Sequence, residues 1–390
     1  MKSLKSLLLA LILIAIFLGT VTGLFLPEKL ESLGRIFITF NGIFSQFLGF
    51  IIPLIIVALV TKAIADIGNK AGKMLIVTVC IAYGSTVLAG LISYTTGATF
   101  FPALIDSGAG MNVADEARSF APYFEVNIPP LMGVMTALVL AFTVGLGLAS
   151  TQNETLMKAT HGFEEIMVKT IESAIIPLLP FYIFGIFMEM AYAGKVFAIF
   201  GVFIKIILII FLLHIGILLL QFIIAGIISR KNPFVLLWNM LPAYFTALGT
   251  QSSAATIPVT LEQSKKNGVS EDIAGFTVPL CATIHMAGST LKIVACALAL
   301  MIMMEMPYDF RMFAGFICML GITMVAAPGV PGGAIMASLG LLSSMLGFSS
   351  EAQALMIALY IAMDSFGTAC NVTGDGAIAV IVDTIFKKKS

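Results

Sequence analysis

The stretch NPFVLLWNMLPAYFTALGTQSSAATIPVTLEQS, residues 232–264, decides how the chain is built. It lies between Lys231 and Lys265, and its centre is polar: Thr250, Gln251, Ser252 and Ser253, then Thr256 and Pro258. Lysine and arginine gather on the cytoplasmic side of a membrane, so both ends are placed there. Two helical crossings with a turn need about 40 apolar residues. These 33 residues with a polar middle are too few. The segment is expected to enter and leave on one side as a re-entrant helical hairpin. A second such segment is 312–350, bounded by Arg311 and Glu351 and centred on PGVPGG at 328–333. Proline and glycine there end both half-helices. Non-helical backbone at membrane depth is tolerated only where it is buried in protein or lines a wet cavity. Two such tips, entering from opposite sides, are expected to line one site.

The composition agrees with a membrane setting. The chain has 390 residues, 59% hydrophobic and 11% charged, with mean hydropathy +1.06. A soluble domain carries about 25% charged residues. The zero net charge gives no case for a nucleic-acid partner. Cys80, Cys281, Cys296, Cys318 and Cys370 are odd in number, lie in apolar stretches and form no C-x-x-C, so neither a disulfide nor a metal site is expected. Spans read as 6–26, 42–61, 74–100, 128–150, 170–192, 198–228, 273–303 and 353–386. The apolar run after Lys5 is long enough to span, so the first is read as an uncleaved helix rather than a signal peptide. Threading the spans in and out places 14 lysines and arginines on the cytoplasmic side and 6 outside, with Lys292 inside a span. Both termini are therefore expected in the cytoplasm of a bacterial-type inner membrane.

The last span carries the sharpest chemical signal. Asp364, Thr368, Asn371 and Asp375 are spaced four, three and four apart and form one polar stripe. A carboxylate at the bilayer centre costs about 2.5–3.5 kcal/mol even on the lenient insertion scale, so two of them need cationic partners. Carboxylate, amide and carbonyl oxygens suit a hard metal cation, and a carboxylate suits a substrate ammonium. The seventh span is interrupted by the polar run Thr283 to Thr290, which includes His285, Met286 and Ser289. Unwinding there would expose carbonyls for ions and a half-helix N-terminus for an anionic group. Lys292 follows, and a buried lysine calls for a partner. An intramembrane aspartyl protease is the enzyme alternative. It needs two facing carboxylates, whereas Asp364 and Asp375 lie about 16 Å apart along one helix.

At these residues the sequence resembles the dicarboxylate/amino acid:cation symporter family, which has the glutamate-transporter fold. The likeness rests on Ser252 to Pro258, on Gly329 to Met336 and on Asn371 to Asp375, and it covers nearly the whole chain. It implies an all-α membrane protein of eight transmembrane helices plus two oppositely oriented re-entrant helical hairpins, working as an elevator within a homotrimer. Residues 1–73 and 101–192 would form the scaffold, and 74–100 with 193–390 the transport domain. Asp364 would accept the substrate amino group, and Asn371, Thr368, Ser289 and the Ser253 region would hold its carboxylate, with Val330 closing over it. Asn371 and Asp375 would build one sodium (Na+) site. Thr283, Met286 and carbonyls of the second hairpin would build another.

The departures from the family pattern are informative. Members taking acidic substrates carry an arginine at the position of Gly367. Its absence favours a small neutral amino acid, and the glycine would leave room for a larger side chain. Lys292 could replace that arginine, which keeps sodium- or proton-coupled symport of aspartate, glutamate or a dicarboxylate as the other reading. The family's Asn-Met-Asp-Gly-Thr reads His285-Met286-Ala287-Gly288-Ser289 here, and Ala82 and Tyr83 stand where span 3 would supply hydroxyls. A third sodium is therefore not expected, and His285 or Lys292 would supply positive charge or carry a proton instead.

Overall fold

The computed structural model describes residues 2–27, 31–69, 73–105, 120–194, 196–327 and 332–386. Among these the secondary structure is helical, without strands. Its elements are α1 (Lys2–Phe25), α2 (Glu31–Asn69), α3 (Lys73–Leu104), α4 (Val134–Thr151), α5 (Glu154–Thr170), α6 (Ile176–Tyr192), α7 (Val196–Ser229) and α8 (Pro233–Thr250). They continue as α9 (Ser253–Lys266), α10 (Glu271–Ile284), α11 (Ala287–Met303), α12 (Phe310–Val325), α13 (Gly333–Leu346), α14 (Ser350–Ala362) and α15 (Asp364–Phe386). Among the described residues seven helical runs are long and apolar enough to cross a membrane, from Glu31–Asp66 to Asp364–Phe386. The described apolar part of α1, Ala10–Phe25, falls short of that length.

Local chemistry sets the helix ends. The Asn232 side chain caps α8 by accepting from Phe234 and Val235 N–H, and Pro233 occupies the first helical position, where its missing N–H costs nothing. Gln251 ends α8 in the left-handed region (φ 52°), and Ser252 at once caps α9 by accepting from Ala255 N–H. This turns the chain at the polar centre of residues 232–264. Asp309 and Ser349 cap α12 and α14 in the same way. Gly332 (φ 74°) starts α13 from a backbone conformation that side chains resist. Between α5 and α6 a π-helical turn, Ile171–Ile175, precedes Pro177, and Ile176 N–H reaches back five residues to Ile171. A widened turn absorbs a proline that cannot donate.

Two expectations need adjusting. Residues 353–386 are not one helix: the chain breaks at Met363 (φ −112°, ψ 11°), and Asp364 opens α15. The fourth span starts at Val134, later than residue 128. The interruption of the seventh span is where the polar run puts it, with His285 extended between α10 and α11.

Packing separates the helices into two groups. α1 lies on α6, and α2 on α4, α5 and α6. α3, α7, α8, α9, α10, α11 and α15 lie against one another, and α12 joins them through α3. The groups meet where α12 and α13 lie on α2, α13 on α4, α14 on α1 and α6, and α7 on α6. Every residue of α11 is buried, whereas α7 presents Ile204, Leu208, Leu212 and Ile227 outward. A face of that kind suits contact with lipid tails.

Candidate functional site

Three helix breaks converge on α15. The α10–α11 break meets it from one side, Gly332 at the start of α13 from another, and its own start at Asp364 forms the third. Asn371 caps α11 from a different helix. Its Oδ1 accepts from Gly288 N–H at 2.8 Å and from Ser289 N–H at 3.3 Å, taking up donors that a helix N-terminus leaves free. Its Nδ2 donates to Ser289 Oγ at 3.1 Å, and Tyr360 OH donates to the same oxygen at 3.1 Å. The crossing is tight: a Cβ on Gly288 would stand 2.7 Å from the Gly367 carbonyl oxygen. Only glycine permits that approach. His214 Nε2 lies 3.0 Å from the Gly288 carbonyl oxygen and must donate to it.

Asp364 is 4% exposed and already engaged on both oxygens. Lys292 Nζ donates to Oδ1 at 2.9 Å, and Gly332 N–H, at the start of α13, donates to Oδ2 at 2.8 Å. Lys292 is fully buried, with Nζ 3.4 Å from the carbonyl oxygens of Tyr360 and Met363 and 3.4 Å from the centre of the Tyr360 ring. The room expected beside Gly367 is filled by this side chain, since a Cβ there would stand 2.8 Å from Nζ. Thr368 is buried on the same helix. Ser253 is half-buried in the first turn of α9, and no hydrogen bond among the described residues joins it to Asn371. Val330 lies outside the described residues.

About three turns along α15 from Asp364, Asp375 Oδ1 is 2.9 Å from His285 Nδ1, with both side chains at most 1% exposed. His285 Nε2 is 3.1 Å from Ser85 Oγ, and Gln221 Nε2 donates to that hydroxyl at 2.9 Å. Met286 N–H donates to Thr86 Oγ1 at 3.4 Å. Span 3 therefore does bring hydroxyls to the break, from Ser85 and Thr86 rather than from positions 82 and 83. Ala82 is buried, and Tyr83 OH donates to the Cys318 carbonyl. Thr283 lies apart from Asp375, in a cavity of about 530 Å³ with Ile284, Ala326, Ala327, Lys62 and Asp66. Thr283 and the end of α12 thus line one cavity, and Met286 is not among its lining residues. Ser85, Thr86, Gln221 and Tyr360 went unremarked in sequence, although Gln221 is a polar residue within a strongly apolar run.

The arrangement can bind rather than transform. It holds carboxylate, amide and hydroxyl groups in a buried cluster, with each acidic group paired to a basic one. A model of the sodium:dicarboxylate symporter family matches residues 8–385. The serine/threonine transporter SstT of Acinetobacter baumannii (strain AYE) is 26% identical over 97% of both chains. The neutral amino acid transporter B(0) of Macaca fascicularis is 28% identical over 63% of this chain and 46% of its own. This is a family of transporters and not of enzymes, and several apolar helices make the chain a multi-pass membrane protein. From its motifs, its broken helices and this match along nearly its whole length, the chain belongs to the sodium:dicarboxylate symporter family.

Proposed function

We propose that the chain couples sodium movement to the uptake of a small neutral amino acid by an elevator mechanism. The observation that carries this reading is the convergence of Asp364, Asn371, Ser289 and Gly332 at three helix breaks. Asp364 offers the carboxylate for an ammonium. The Asn371 amide and the Ser289 hydroxyl, held together at the start of α11, suit a carboxylate. A neutral side chain fits because position 367 is glycine and the Lys292 donors beside it are turned to Asp364, Tyr360 and Met363. An acidic side chain would need a donor fork there. The serine/threonine and neutral amino acid transporters among the similar proteins support the same substrate class.

Eight spans with two re-entrant hairpins, α8–α9 and α12–α13, account best for the helix order. The two packing groups support a division into a scaffold of α1, α2, α4, α5 and α6 and a moving unit built from the remainder. On this reading the protein lies in the inner membrane as a homotrimer with both termini cytoplasmic. Sodium would bind at Thr283 and the α12 end, and at Asn371 and Asp375 if His285 yields.

The test is uptake into proteoliposomes under an inward sodium gradient, with serine, threonine, alanine, aspartate, glutamate and succinate offered in parallel. Sodium-dependent uptake of a neutral amino acid, abolished by Asp364→Ala, is expected. Selective uptake of aspartate, glutamate or succinate would sink the substrate assignment and make Lys292 its leading anion partner.

A further inference from the structure

Asp364 meets a lysine where the amino-acid reading needs it to meet a substrate. We propose that Lys292 is a tethered stand-in for the substrate's ammonium group, holding Asp364 and the start of α13 together in the empty protein and yielding Asp364 when an amino acid arrives. The inference rests on the amino-acid reading above and deepens it.

The geometry carries the argument. A primary ammonium offers three N–H donors and one positive charge, and the Lys292 head group and an amino acid's ammonium are alike in this. Lys292 Nζ is 2.9 Å from Asp364 Oδ1, so a substrate ammonium cannot take that oxygen until Nζ withdraws. The second oxygen ties Gly332 N–H to the same carboxylate. The Asp364 side chain thus joins α11, α15 and the start of α13. Without Lys292, Asp364 would be left in the protein interior without its cationic partner, which is strongly unfavourable. Nζ does not need a new pocket when displaced. The carbonyls of Tyr360 and Met363 and the face of the Tyr360 ring already surround it.

A tethered competitor acts at high local concentration and lowers the apparent affinity for the free one. Removing it should therefore tighten binding while impairing the return of the empty protein. A residue that merely holds the fold, or one that grips the substrate, would not do both. The experiment uses the full-length protein with Lys292→Met and with Lys292→Gln, the latter keeping a hydrogen-bond donor for Asp364 should the first fold poorly. Sodium-dependent binding is measured with the neutral amino acid that the wild type takes up best. Net uptake into substrate-free vesicles is compared with exchange into substrate-loaded ones.

The expected result is a Kd at least tenfold lower in both variants, with net uptake falling at least tenfold more than exchange. Unchanged or weaker binding, or an equal fall in net uptake and exchange, would overturn the inference. Failure of the wild type to bind any neutral amino acid would instead overturn the underlying substrate reading, so the two failures are distinguishable.

Discussion

Gly340 sits where the two packing groups touch, and adding one methyl group there tests whether they slide past one another. A Cβ at this position would stand 2.7 Å from Val134 Cγ2, 3.1 Å from Val134 Cγ1 and 3.0 Å from Ile52 Cγ2. Valine and isoleucine are branched at Cβ and nearly locked in a helix, so they cannot swing away. Overpacking of this kind costs about 1–3 kcal/mol. Replacing a mid-helix glycine by alanine gains about 0.5–1 kcal/mol in backbone entropy, but that gain is the same wherever α13 lies. If α13 leaves α2 and α4 during transport, the full clash bears on this arrangement alone. The population ratio then shifts about 5- to 150-fold against it. Ser45 on α2 and Ser350 on α14 report the arrangement, because their hydroxyls are 2.6 Å apart. With the native cysteines replaced, a Ser45→Cys/Ser350→Cys pair should form a disulfide readily, and Gly340→Ala should slow its formation by a factor in that range. An unchanged rate with a lowered melting temperature would mean that α13 stays against α2 and α4, and the elevator reading would fail.

Other outcomes follow from the buried pairs. His285→Ala leaves Asp375 without its partner and should destabilise the protein by about 3–5 kcal/mol. Sodium chloride should then raise the melting temperature of the variant more than that of the wild type, whereas equal shifts would show that no cation reaches Asp375. Thr283→Val removes one oxygen from the cavity beside Ala326 and Ala327. An interaction with a charged group is worth about 1.5–3 kcal/mol, so the sodium concentration for half-maximal uptake should rise about tenfold or more. Unaltered sodium dependence would remove Thr283 from the ion path.

Sequence carried the placement of the helix breaks where the break has its own chemistry. Residues 250–253 are polar, 328–333 are rich in proline and glycine, and the run around His285 is polar within an apolar span. The break at Met363 has no such mark: tyrosine, isoleucine and alanine precede it without a proline or glycine. Tertiary contact settles it, through the buried Asp364 that opens α15. The residues of the polar stripe were legible because one helix face fixes them. Their partners were not, because these come from other helices. Lys292 reaches Asp364 across 72 positions, and His285 reaches Asp375 across 90. Sequence spacing places a residue on a face but does not say which side chain fills the volume opposite. The room inferred at Gly367 is the case in point, since the occupant arrives from α11.

The lysine–aspartate pair also has an electrical consequence. Moving one elementary charge across a membrane potential of 100 mV changes its energy by about 2.3 kcal/mol. Lys292 and Asp364, 2.9 Å apart and both buried, sum to zero. A unit that carries both through the field moves no net charge on their account, so the voltage neither drives nor opposes that part of the passage. Any voltage dependence of transport must then enter through the cations and the remaining titratable groups, and a current recorded in step with amino-acid uptake would count those charges directly.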